Sequence, residues 1–167
     1  RGRACGGLCV SCQRMYDFQS GHLNFNLDKL TPKIKWKKKM KMLLEYFEED
    51  TQLRDILITG GDSFMNTEES LQDIFDGIYD MALRKKNANT DRPDGQKYAE
   101  ITRIRLGTRL PVYLPQRITK EFVKVLADFK RKASKIGIKQ FIVQIHVQAA
   151  IEITPEMKEA VSRILAA

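Results

Sequence analysis

The sequence contains no apolar run near the roughly 20 residues that a membrane-spanning helix needs, and no signal-peptide pattern. It carries no internal sequence repeat beyond a strand–helix alternation. Cysteine is scarce: there are three, all between positions 5 and 12. An odd count at so tight a spacing excludes a structural disulfide framework. There is no initiator methionine, and Arg1-Gly2-Arg3-Ala4 leads straight into the cysteines, so a piece of a longer protein is expected. The net charge of +8 invites a nucleic-acid partner, yet no base-reading motif or aromatic stacking platform accompanies it. Six lysines fall between Lys33 and Lys41, among Ile34, Trp36 and Met40, and five more cations are Arg84, Lys85, Lys86, Arg92 and Lys97. The first run reads as a helix whose stripe Trp36, Met40, Leu43, Leu44 and Phe47 faces a core and leaves its lysines in water.

At 167 residues, with 43% hydrophobic and 30% charged residues, the chain has the composition of one soluble globular domain. Met15 to Lys33 reads as a loop, and helical periodicity runs from Ile34 to Glu49. Asp55 to Thr59 is a short apolar run typical of a buried parallel strand, ending in Gly60-Gly61-Asp62. Asn66 with Glu69 resembles a capping box for a helix reaching Leu83 through Leu71, Ile74, Phe75, Ile78 and Met81. The polar stretch from Arg84 to Glu100 is expected to be a loop, and Thr102 to Gly107 a second strand. Pro111 and Pro115 predict irregular structure from Arg109 to Arg117. Thr119 caps a helix with Phe122, Leu126, Phe129, Ala133 and Ile136 on its apolar face, closed by Gly137. Phe141 to His146 is the third strand, and Thr154-Pro155 opens a last helix that buries Met157, Val161, Ile164 and Leu165. This alternation predicts an α/β fold with a parallel sheet. Three strands are too few for a closed (β/α)₈ barrel, which takes roughly 250 residues.

The chemistry is concentrated in Cys5-Gly6-Gly7-Leu8-Cys9-Val10-Ser11-Cys12, a C-x3-C-x2-C spacing. Three thiolates so close in sequence meet at one metal centre if the loop wraps around it, and Gly6 and Gly7 supply the freedom to wrap. Three ligands to a four-iron cluster leave one iron open to a small molecule, as open positions mark catalytic metals. The competing reading is a non-enzymatic zinc module held by Cys5, Cys9, Cys12 and His22. Taken singly, the double glycine is a turn, Arg105 a salt-bridged strand residue and His146 a buried, satisfied histidine.

The cysteine string resembles the signature of the radical S-adenosylmethionine (SAM) superfamily, and Ile58-Thr59-Gly60-Gly61-Asp62 is similar to its glycine-rich motif. Ile104 to Val112, continuing Leu114-Pro115-Gln116-Arg117-Ile118-Thr119, resembles the lysine 2,3-aminomutase family in particular. His146 followed by Glu152-Ile153-Thr154 is similar to that family's next strand end. Two departures stand out: Ser11 replaces a frequent aromatic, and Gln148-Ala149-Ala150 stands where Asn-His-Pro is common. The resemblance implies a partial (β/α) barrel of the radical SAM type spanning residues 1–167, with preceding and following strands missing. It implies a [4Fe-4S] cluster on Cys5, Cys9 and Cys12, and SAM held by Thr59, Gly60, Gly61, Asp62, Arg105 and His146. Arg14 is carried over as a contact for substrate carboxylate or cofactor phosphate. Reductive cleavage of SAM would then start radical chemistry on an amino acid or lysine-type substrate, as in an aminomutase, an isomerase. The implied partners are an electron donor such as a flavodoxin or ferredoxin, and a homo-oligomeric state is compatible with the resemblance. The family's pyridoxal phosphate would be bound by a later segment absent from this sequence. A cytoplasmic location is expected, because thiolates meant for a cluster must stay reduced.

Overall fold

A computed structural model describes Cys5, Cys9, Cys12 and residues 34–167. The loop expected from Met15 to Lys33, together with Ser11, Arg14 and His22, lies outside the described residues. The elements in chain order are α1 (Trp36–Glu49), β1 (Asp55–Ile58), α2 (Glu68–Ala88), β2 (Arg103–Thr108), α3 (Lys120–Ser134), β3 (Gln140–Ile145) and α4 (Pro155–Leu165). The strands form one parallel sheet in the order β1-β2-β3, as the strand–helix alternation predicts.

Alternation along the strands sorts side chains into two unlike faces. Ile56, Ile104 and Phe141 are in register, as are Ile58, Leu106 and Val143, and all belong to or pack on the buried core. There Phe75 of α2 stacks on Phe129 of α3 at 4.2 Å between ring centroids, and Phe141 meets both edge-on. Phe75 and Phe129, both buried, each contribute about 1.5–3 kcal/mol through burial alone, and half-buried Phe141 less. Among the described residues no helix packs an apolar layer on the other face. Asp55, Arg103 and Gln140 are in register on it, and Arg103 and Arg105 both bond Asp55. Leu57 on this face is exposed.

Several expectations need correction. The cap of α2 is Thr67, whose hydroxyl accepts from the Ser70 N–H at 3.2 Å, while Asn66 instead donates to the Ser63 carbonyl. The helix runs on to Ala88, so the first part of the expected loop is helical. Lys85 disguised that continuation: it sits on the buried face with Met81 and Ala82, its ammonium donating to the carbonyls of Phe47 (3.2 Å) and Asp50 (2.6 Å). A cation at those C-terminal carbonyls of α1 is favourable, although burial pulls its pKa down. Beyond α2 the loop is organised by buried Asn89, which bonds both the N–H and the carbonyl of Tyr98.

Between Arg109 and Arg117 the chain is not irregular. It forms one helical turn at Leu110–Tyr113 and a 3-10 turn at Pro115–Arg117, each with proline in its first two positions, where the missing N–H costs nothing. Leu43, expected in the core, is 42% exposed, and Leu165 is exposed while Ala160 is buried in its place. His146 is likewise exposed. The caps at Thr119 and Thr154 occur as expected, accepting from Phe122 and Met157. Lys35, Lys37, Lys38, Lys39 and Lys41 are exposed, so that charge run is a solvated helix face. Among the described residues no helix is long and apolar enough to cross a membrane.

Candidate functional site

β1 ends at Ile58 and the chain turns through Gly60 (φ 104°) and Gly61 (φ 145°), conformations that side chains with a Cβ rarely adopt. The turn delivers Asp62 to the end of β2. Its Oδ1 accepts from the Phe64 N–H (2.9 Å) and the Thr108 hydroxyl (2.6 Å), and its Oδ2 from the Arg109 N–H (2.6 Å). Ser63 donates to the Gly107 carbonyl at 2.9 Å beside it. With Asp62 only 7% exposed, these bonds clamp the two strand ends together in a dry environment.

The first residue past β2 is Arg109, 4% exposed. Its Nη1 donates to Cys9 Sγ (3.1 Å) and Gln148 Oε1 (2.7 Å), and its Nη2 to Glu152 Oε1 (2.6 Å). The guanidinium lies 4.4 Å from the centroid of the Tyr113 ring, whose hydroxyl is 4.0 Å from Cys9 Sγ. Arg109 Nε is buried with no acceptor among the described residues. Burial opposes the charge on Arg109, but the bonds to Cys9 and Glu152 more than offset it and raise the pKa. The Gln148 N–H, and after it the Arg109 guanidinium, hold the Glu152 carboxyl below its usual range. Burial, then the neighbouring Cys9, push the Tyr113 hydroxyl up to about 12.

Arg109 therefore joins two sequence-predicted features. Its backbone bonds Asp62 of the glycine turn, and its side chain bonds Cys9 of the cysteine motif. Cys5, Cys9 and Cys12 are all half-buried, and the Cys12 N–H closes a turn onto the Cys9 carbonyl at 3.0 Å. Among the described residues no three His, Cys, Asp or Glu side chains are gathered for a metal ion. The donor set nonetheless suits an iron–sulfur cluster: three soft thiols in one short loop, one of them accepting from a cation.

The other predicted residues are more dispersed. Thr59 is exposed at the same strand edge, next to Gly107, where an added Cβ would come within 3.3 Å of the Thr59 hydroxyl. His146 is placed at the end of β3 by its N–H bond to the Thr108 carbonyl. Arg105 points away from this group: it lies on the uncovered sheet face, bonded to Asp55 (2.9 Å) and Gln144 (3.4 Å). Sequence reasoning did not single out Arg109, Tyr113, Gln148 or Glu152 as site residues. The available signal was the position of Arg109 immediately after a strand, where α/β sheets place ligand-binding groups. Its partner Glu152 lies 43 residues away, and no local pattern connects the two.

No protein-family profile matches the chain. It is 30% identical over 161 residues to an uncharacterised KamA family protein of Methanocaldococcus jannaschii, covering 96% of this chain and 21% of that protein. It is 28% identical over 128 residues to an L-lysine 2,3-aminomutase of Methanococcus maripaludis, covering 77% of this chain and 24% of the relative. A glutamate 2,3-aminomutase of Clostridioides difficile is 26% identical over 162 residues, 96% of this chain and 29% of the relative. The chain thus spans about a fifth to a third of the length of the curated relatives it matches. With motifs in the order its resemblance requires and relatives that carry these names, the chain belongs to the lysine 2,3-aminomutase-like family of radical SAM proteins.

Proposed function

We propose that this chain is the cluster-binding and SAM-binding part of a radical SAM enzyme of the aminomutase type, an isomerase acting on an amino acid. The observation that carries the reading is the double attachment of Arg109, to Cys9 and to Asp62. It brings the cysteine loop and the glycine turn to one strand edge, the edge where parallel α/β sheets hold their ligands.

In this reading Cys5, Cys9 and Cys12 hold a [4Fe-4S] cluster. When bound, the cluster and SAM supply the electron and the sulfonium whose cleavage starts radical chemistry. The side-chain-free Gly60 and Gly61 let backbone groups approach SAM, and exposed Thr59 adds a hydroxyl beside them. Asp62 contributes negative charge near the SAM ammonium, while its three protein hydrogen bonds keep the turn in shape. His146, at the end of β3, completes the SAM contacts and Arg14 takes a substrate carboxylate, while Arg105, bonded to Asp55 and Gln144 away from this group, is not among them. The uncovered sheet face with Asp55, Arg103 and Arg105 is the inner wall of a partial (β/α) barrel, residues 1–167 forming one radical SAM core. Relatives named for lysine and for glutamate share an α-amino acid as common chemistry, and a lysine-type substrate is the specific assignment. An external electron donor of the flavodoxin or ferredoxin type and a reducing, cytoplasmic setting complete the proposal.

Anaerobic reconstitution with iron and sulfide tests it. About four irons per chain should bind, and Cys5→Ala, Cys9→Ala or Cys12→Ala should each abolish this, while His22→Ala should not. Stoichiometric zinc, lost on His22→Ala, would replace the proposal with a zinc-stapled module.

A further inference from the structure

The chain places a nearly dry arginine on the sulfur of one cysteine of the motif, and its cost needs a return. Burying a guanidinium is expensive unless its charge and its N–H groups are matched. Here Glu152 matches the charge, Gln148 takes a second bond and the Tyr113 ring lies under the plane, so the fork is held from three sides. One N–H, on Nε, stays buried without an acceptor among the described residues. The backbone clamp onto Asp62 uses only the Arg109 N–H, which every residue but proline supplies. The expensive part of Arg109 is therefore spent on one contact outside its own support, the 3.1 Å bond from Nη1 to Cys9 Sγ.

We infer that Arg109 is a positioning residue that, through its hydrogen bond to the Cys9 sulfur, sets how readily the cluster held there accepts an electron. The inference rests on the cluster reading given above. One-electron reduction, by an external reductant, adds negative charge that is shared by the cluster's sulfur ligands. A cationic donor on one of those sulfurs stabilises the reduced form more than the oxidised form, and hydrogen bonds to sulfur are an established lever on such potentials. Arginine suits the task because it stays charged and its planar fork bonds Glu152 and Cys9 together, which a lysine ammonium on a flexible stem does not. Glu152 and Gln148 act at one remove, by fixing the direction in which Nη1 donates.

The test is a redox titration of the anaerobically reconstituted protein, poised with dithionite and mediators and followed by electron paramagnetic resonance. Arg109→Met should load iron as the parent does but be about tenfold harder to reduce, which for one electron is a potential about 59 mV lower. Arg109→Met/Glu152→Gln removes one positive and one negative charge together, so net charge near the cluster is unchanged and the same lowering isolates the hydrogen bond. If the methionine variant fails to load iron, Arg109→Gln keeps a polar group in the space and gives the same readout. Variants that load iron and keep the parent's potential overturn the role of Arg109 and leave the cluster reading standing. A parent that takes up no iron overturns both.

Discussion

Asp62 shows how one carboxylate can serve structure and site together. Three donors converge on it from two strand ends, and none of them has water to fall back on if it is removed. A stranded buried donor costs about 1–3 kcal/mol, so Asp62→Ala should lower stability by at least about 3 kcal/mol in urea unfolding. A loss below about 1 kcal/mol would mean that the carboxylate serves the ligand alone, with the clamp incidental. The aspartate was legible in the sequence because Gly60 and Gly61 precede it. Its bonds to Thr108 and Arg109 were not, since they span 46 and 47 residues.

At the scale of elements, the caps at Thr119 and Thr154 were read correctly, whereas the cap of α2 is Thr67 rather than Asn66, and Leu43 and Leu165 lie outside the buried stripes to which they were assigned. The extent of α2 was misread because a charged residue lies on its buried face. Lys85 is the clear case: its chain continues the stripe of α2, while its ammonium is satisfied by carbonyls of α1 that no sequence window contains. The start of α2 is tied down by Arg117, which bonds both oxygens of Glu68 at 2.5 and 3.0 Å. The Arg117 hydrogen bond holds the Glu68 carboxyl below its usual range. A depressed carboxylate pKa contributes stability above the unfolded-state value near 4.5, and that stability is lost as pH falls through the folded value. Glu68→Gln should therefore show a shallower decline in stability than the parent as pH drops below about 4.5. Parallel acid limbs for the two proteins in urea titrations at several pH values would show that the pair adds nothing.

For the molecule as a whole, the unequal faces of the sheet decide what these 167 residues can do by themselves. Helices cover Ile56, Ile104, Leu106 and Phe141, while Asp55, Leu57, Arg103 and Arg105 look out from the other side. A radical needs a closed, dry site, and a sheet face left open by the described residues does not provide one. The reduced, reconstituted chain, incubated with SAM and lysine, should release 5′-deoxyadenosine slowly and form no β-lysine. Detection of β-lysine by mass spectrometry would show that this single sheet layer shields the reaction after all.

The sequence by itself determined the parallel α/β alternation, the cysteine motif, the glycine turn and the family to which they belong. Each is local: a period of apolar residues, a spacing of ligands, or a residue type that alone tolerates a backbone conformation. Only the tertiary structure decided that Arg109, not Arg105, meets the cysteine loop, and that Gln148 and Glu152 support it. Both arginines belong to the same motif, four residues apart around the end of β2. Strand alternation turns Arg105 onto the open face toward Asp55, whereas Arg109 lies beyond the last pleat, where the turn at Leu110 swings it over the strand edge. Which of two equivalent cations reaches a sulfur 100 residues away is a matter of packing, and only the folded chain contains that information.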